Sequence, residues 1–243
     1  MNTRIWYNTN NMCRDLQNVE RFNEIEDLTI FGNVYLHYLP KNLKYLYCSH
    51  NHSLYYLPNL PSGLIRLDCS NTNLSWLPNL PNSLTYIDCS KNQLSNLPDL
   101  PNSLIHLNCS ENKLSQLPKL PHNLRRLDCY ENKLLNLPKL PNYLKYLNCY
   151  QNQLSYLPEL PNSITKLYCT DNPFNLWHIL IDKIKINGDL TEFMCEKLSK
   201  INDQIEELHY DLNQNKFRQY NKKISNLTTE IDNIINVNYE IIL

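Results

Sequence analysis

Six cysteines of this chain, Cys69, Cys89, Cys109, Cys129, Cys149 and Cys169, stand twenty residues apart, and Cys48 precedes them by twenty-one. Few folds admit such a period. Each period is one short supersecondary unit that has no means of burying its own apolar face, so consecutive units must stack into a quasi-one-dimensional solenoid with one continuous core.

Around each cysteine the text reads L-x-x-L-x-C-x-x-N-x-L-x-x-L-P-x-L-P-x-x, as in Leu104, Leu107, Cys109, Asn112 and Leu114 through Leu117-Pro118 and Leu120-Pro121. Within Leu84 to Leu94, Ile87 and Cys89 alternate with Tyr86, Asp88 and Ser90, the period-two signature of a strand with one buried face and a polar set toward solvent. Stacked repeats bring these strands into a parallel sheet at about 4.8 Å spacing. Leu94, Leu97 and Leu100 close the core from the other side. Pro98 and Pro101 fix φ and remove backbone donors, so the return segment is expected to be extended and not α-helical.

This pattern strongly resembles the leucine-rich repeat, and its short LPxLP form is similar to the bacterial effector class that includes YopM and the repeat domains of the IpaH ubiquitin ligases. The resemblance covers residues 25–174 and implies a leucine-rich-repeat solenoid of the α/β repeat class, with a parallel concave β-sheet and an extended convex side. In that family the recurring asparagine is buried and bonds turn backbone of neighbouring coils. Here it recurs as Asn33, Asn51, Asn92, Asn112, Asn132, Asn152 and Asn172, and Thr72 departs from it, so the ladder is expected to break there. The cysteines stand where the family usually has leucine.

A free cysteine behaves as a small apolar residue, so the column reads as packing. Cysteines side by side on parallel strands, at even spacing, do not read as a disulfide framework. A straight column of thiols without a C-x-x-C pair has no means of surrounding a zinc ion. Reduced thiols imply a reducing compartment, and the expectation is a cytoplasmic protein. Three glycines and a net charge of -1 leave neither a Gly-rich phosphate loop nor a basic nucleic-acid binder. No stretch approaches the ~18 apolar residues of a membrane helix. The opening "MNTRIWYNTNNMCRDLQ" has no apolar run typical of a leader, so the mature chain is expected to be whole and soluble. Alanine is absent while Asn, Ile, Lys and Tyr abound, a usage similar to giant DNA viruses of amoebae such as mimivirus, which would place the protein in a host cytoplasm.

The outward strand positions are the part of each repeat that the pattern leaves free of structural duty, and they carry the candidate partner-binding residues. One column is Tyr45, Arg66, Tyr86, His106, Arg126, Tyr146 and Lys166, and its neighbour is Tyr47, Asp68, Asp88, Asn108, Asp128, Asn148 and Tyr168. A third runs Ser49, Ser70, Ser90, Ser110, Tyr130, Tyr150 and Thr170. Tyrosine suits any β surface, but tyrosine and arginine are also enriched at interface hot spots. Seven strands span roughly 30 Å, enough for a standard interface burying about 800 Å² per partner. Asp68, Asp88 and Asp128 beside the arginines argue against phosphate, hence against nucleic acid. His50 and His52 lack a carboxylate or thiol partner in the pattern and read as a surface loop, not a metal site.

At the start, Met12, Leu16, Val19 and Phe22 recur at helical spacing, so residues 1–24 read as an N-terminal cap with a short helix over 12–23. Residues 175–188, with Trp177, Ile179, Leu180 and Ile184, read as a C-terminal cap. In 189–243, Met194, Leu198, Ile201, Ile205, Leu208 and Leu212 form a heptad seam that restarts at Phe217, Tyr220, Ile224, Leu227, Ile231 and Ile234, predicting a helical hairpin or coiled coil. The IpaH ligases carry a Cys-x-Asp nucleophile in a large C-terminal domain, whereas this tail offers Cys195-Glu196-Lys197 in a short segment, so ligase activity is not implied. No catalytic, cofactor or metal set stands out. The expectation is therefore a non-enzymatic module that recognises a protein, one of a host cell if the chain is viral, through its concave face. The alternative is a scaffold oligomerising through the heptad helices of 189–243.

Overall fold

Among the described residues, nine short strands build a single all-parallel sheet in which every strand pairs with its sequence neighbours. They are β1 (Arg4–Asn8), β2 (Asp27–Phe31), β3 (Tyr45–Tyr47), β4 (Arg66–Asp68), β5 (Tyr86–Asp88), β6 (His106–Asn108), β7 (Arg126–Asp128), β8 (Tyr146–Asn148) and β9 (Lys166–Tyr168). The structure, a computed structural model, describes residues 4–8, 22–32, 36–169 and 171–173, together with the isolated helical positions 222, 223, 226 and 229.

Seven strands were expected, one ahead of each cysteine, and β3 to β9 are those strands. The sheet continues beyond them. In β2, Leu28 pairs with Leu46 of β3, so Ile30 occupies the place that Cys48 takes one coil later. Ile25, Leu28 and Ile30 are all buried, which makes this coil a repeat with isoleucine in the cysteine position. β1 pairs along the whole of β2, from Arg4 opposite Asp27 to Asn8 opposite Phe31, so a strand lies within the 1–24 segment. Of the helix expected over 12–23, most lies outside the described residues. Phe22–Glu24 is a single 3-10 turn. The caps and heptad helices expected over 175–188 and 189–243 also lie outside them, except for the four helical positions.

The core consists of columns, one residue per coil. Leu84, Ile87, Cys89 and Leu94 are buried, and so are their equivalents in the coils on either side. The second proline of each LPxLP opens the turn that leads back into the strand: its carbonyl accepts from the N–H three residues on, as from Leu84 to Pro81 and Leu104 to Pro101, at 3.1 and 3.0 Å. Proline suits this place because its fixed φ is that of a turn's entry and the missing N–H has no ladder bond to make.

Two residues after each cysteine the chain takes a left-handed conformation without using glycine. His50, Asn71, Lys91, Glu111, Glu131, Gln151 and Asp171 have φ between 51 and 59°. A side-chain-bearing residue is disfavoured in that region by roughly 1–2 kcal/mol, part of which glycine would give back through its freer unfolded chain. Gln151 is exposed and makes no side-chain hydrogen bond. Gln151→Gly is therefore expected to raise stability by about 0.5–1 kcal/mol, read as a higher urea midpoint, and a lower midpoint would show that the turn is unstrained.

The asparagine that follows locks each turn to the coil before it. Asn112 accepts from Leu94 N–H at 2.9 Å through Oδ1, and its Nδ2 donates to the carbonyls of Cys89, Cys109 and Ser110 at 3.0–3.1 Å. Asn92, Asn132 and Asn152 repeat this arrangement. At Thr72 the ladder breaks, as the sequence suggested. Its hydroxyl reaches Cys69 O and Asn92 Oδ1, and the Leu54 N–H that an asparagine would have taken bonds instead to Asn51 O at 3.0 Å. The inserted residue of this coil therefore lies after Asn51, in the His52-Ser53 turn.

Candidate concave interface

Strand register brings the two expected columns into line. Tyr45, Arg66, Tyr86, His106, Arg126, Tyr146 and Lys166 pair in succession across the sheet, and beside them Tyr47, Asp68, Asp88, Asn108, Asp128, Asn148 and Tyr168 do the same. β2 adds Asp27 to the first column and Thr29 to the second. Neither was anticipated, because β2 carries no cysteine to mark it. The I-x-x-L-x-I spacing of residues 25–30 was the signal.

In the first column the side chains interlock. The Arg66 guanidinium lies over the Tyr86 ring at 3.5 Å from its centroid and 5.5 Å from that of Tyr47, and Arg126 lies over Tyr146 at 3.9 Å. Tyr86 and His106 are 6.0 Å apart as tilted rings, and Tyr146 and Tyr168 are 5.7 Å apart. Cation–π contacts of this kind contribute about 0.5–2 kcal/mol each, the larger values where water is excluded. They also hold the long arginine side chains in one rotamer, so less conformational entropy is lost when a partner binds. Burial, with Arg126 and Arg66 nearby, holds the His106 imidazole below its ordinary value.

The second column corrects the sequence reading, which left it free of structural duty. Asp68 Oδ1 accepts from the backbone N–H and the hydroxyl of Ser70, and Asp88 does the same with Ser90. Asn108 caps Ser110 in the same way and donates Nδ2 to Asp88 Oδ2 at 3.0 Å. These residues fasten the ends of β4, β5 and β6. The serines are not solvent-facing as alternation implied, since Ser90 and Ser110 are buried. A strand end leaves backbone N–H groups that need an acceptor, and a short carboxylate or amide two residues back supplies one.

Tyrosine replaces serine at Tyr130 and Tyr150, and the pattern changes. Asp128, with no serine to cap, turns to Arg126, whose Nε and Nη2 donate to its carboxylate at 2.6 and 3.3 Å. Asp128 is 5% exposed, so it acts as a support for Arg126 more than as a contact surface. Tyr130 and Tyr150 stack at 5.0 Å with ring planes 15° apart, and their hydroxyls donate to Glu111 and Glu131 at 3.2 and 2.7 Å. The bond to Glu131 pushes the Tyr150 phenol up to about 12. Glu111 and Glu131, absent from the expected site, are the left-handed turn residues of their coils.

The seven cysteines of the solenoid are free and buried beneath this face. Burial raises every one of these thiols, Cys169 to about 12. Thiols held protonated are poor nucleophiles and poor metal ligands. Among the described residues no three His, Cys, Asp or Glu side chains gather in a way that would hold a metal ion. His50 instead meets Asn71 at 2.7 Å. No described helix is long and apolar enough to cross a membrane.

A solenoid of twenty-residue coils with a parallel inner sheet, an extended LPxLP outer side and an asparagine ladder is a leucine-rich-repeat architecture. Solved structures agree. YopM from Yersinia enterocolitica is 39% identical over 61% of this chain and 37% of its own, with a TM-score of 0.56. YopM from Yersinia pestis, described as a leucine-rich effector protein, is 34% identical over 62% of this chain and 50% of its own, with a TM-score of 0.54. A Shigella effector leucine-rich-repeat domain is 34% identical over 63% of this chain and 70% of its own, with a TM-score of 0.53. The chain belongs to the leucine-rich-repeat family, in the form these bacterial effector domains represent. It spans half or less of the two YopM chains. No protein-family model and no curated protein matches it.

Proposed function

We propose that this protein is a non-catalytic recognition module that binds a protein partner through the concave sheet, with the Arg66–Tyr86 and Arg126–Tyr146 stacks as its anchors. The observation that carries this reading is the ordering of arginine and tyrosine into one interlocked column on a rigid sheet, where a solubility surface needs only scattered charge. Similarity to effector repeat domains favours a partner in a host cell, and the reduced thiol column suits a cytoplasmic setting.

The test is a crosslinking pulldown from host-cell lysate with the native protein and with Tyr86→Ala, Arg126→Ala, Tyr146→Ala combined, the fold being checked by circular dichroism. Hot-spot truncations cost about 2 kcal/mol or more each, so capture of a specific partner is expected to fall at least tenfold. An unchanged set of partners would move the site off this face. It would favour the second reading, a scaffold assembled through the heptad seam of 189–243. That reading predicts a sedimentation mass that rises with concentration and falls back to monomer in Ile205→Asp, Leu208→Asp.

A further inference from the structure

The two arginines of the concave column are chemically unlike. Both stack on the tyrosine of the following coil, but Arg126 is neutralised by two hydrogen bonds to Asp128. Arg66 has the same residue type two positions on, Asp68, and forms no ion pair with it. The reason lies one residue past the cysteine: Ser70 occupies Asp68 Oδ1 with both its N–H and its hydroxyl, whereas the equivalent Tyr130 leaves Asp128 free to turn. Arg66 is thus held between the Tyr47 and Tyr86 rings without a hydrogen-bond acceptor, and its Nε is buried and unpartnered. A planar fork of donors kept in place by aromatic faces is the arrangement that meets a carboxylate through two parallel bonds.

We infer that Arg66 is the specificity anchor of the concave face and receives an aspartate or glutamate side chain of the partner. The inference rests on the concave-face reading above and adds to it the chemistry of the group recognised. Asp68 and Asp88, adjacent in register, select within the anions. They repel a doubly charged phosphate more than a single carboxylate, and Asp68 Oδ2, which makes no hydrogen bond, accepts a donor placed beside that carboxylate. Arg126, whose Nε and Nη2 already donate to Asp128, contributes mainly its stack on Tyr146 and less charge recognition.

Displayed random peptides selected against the native protein test this. Binders are expected to carry Asp or Glu at one fixed position, and its change to Asn or Gln should weaken binding at least about tenfold. Arg66→Gln should do the same and Arg66→Lys should recover only part because it lacks the fork, whereas Arg126→Gln should weaken binding without relaxing the preference for Asp or Glu at that position. Ser70→Tyr, which transplants the residue found at 130, should free Asp68 to pair with Arg66 and lower affinity for the same peptides while circular dichroism stays native. Peptides that lose binding in Tyr146→Ala yet ignore Arg66→Gln would overturn the anchor and leave the concave face standing. Peptides indifferent to both would overturn the two together, as would failure to enrich any acidic binder.

Discussion

Held in reductant, the protein is expected to keep a constant urea midpoint up to about pH 8 and then to lose stability steeply, unfolding near pH 10. The cause is the thiol column. In the folded chain burial raises all seven core thiols above their ordinary value of 9.0, most of them well above it. A group whose folded value is raised stabilises the fold fully below its unfolded value and loses that contribution as pH climbs toward the folded one. Above pH 9 the unfolded chain releases protons that the folded chain retains. Each such thiol costs about 1.4 kcal/mol per pH unit, so seven together approach 10 kcal/mol within one unit, on the scale of a domain's whole stability. The half-exposed Tyr86 and Tyr146 shift in the same direction, and solvent screening leaves them a smaller share. Replacing Cys89, Cys109 and Cys129 by valine should cut the dependence nearly by half, which isolates the thiols from the tyrosines. A flat profile to pH 10 would mean that the column is open to water.

Asn92→Ala should cost about 3–5 kcal/mol, measured by urea unfolding, while Asn96→Ala on the exposed outer side should stay within about 0.5 kcal/mol. Asn92 accepts from Leu74 N–H at 2.9 Å and donates to the carbonyls of Cys69, Cys89 and Ser90 at 2.9–3.2 Å. Alanine would leave at least two of these buried groups without partners, each costing roughly 1–3 kcal/mol. Asn92 is also the residue that Thr72 leans on, at 2.6 Å, so its loss falls where the ladder is already weakest. Coils interact only with their neighbours, so a weak joint separates the array. The variant is therefore expected to unfold in two steps, with the coils before residue 92 melting first. A loss below about 1 kcal/mol would show that the turns hold without the ladder.

The solenoid was legible because its determinants repeat. A twenty-residue period sets which side chains share a column, and strand alternation sets which of them point inward, so Leu67, Cys69 and Leu74 could be placed from spacing alone. What escaped was decided by neighbours off the period. Asp68 and Asp88 looked like free surface because alternation says where a side chain points and nothing about a serine N–H two residues on that needs an acceptor. The contrast between Arg66 and Arg126 hangs on Ser70 against Tyr130, a difference visible in the text whose effect needs the rotamers. β1 lies outside the repeating text altogether, and in the coil of β2, inside the 25–174 span, Ile30 stands where later coils carry cysteine, so Asp27 and Thr29 were not marked as face residues.

The left-handed turn residue of each coil sets how this surface is able to vary over evolutionary time. Glycine would suit that backbone, yet the chain shows His50, Asn71, Lys91, Glu111, Glu131, Gln151 and Asp171 there, a different side chain on nearly every coil. None of them belongs to the apolar core, so selection is free to rewrite the rim one position at a time without repacking what lies beneath. Glu111 and Glu131 illustrate the reach of such a change: two letters on the rim hold Tyr130 and Tyr150 on the face itself.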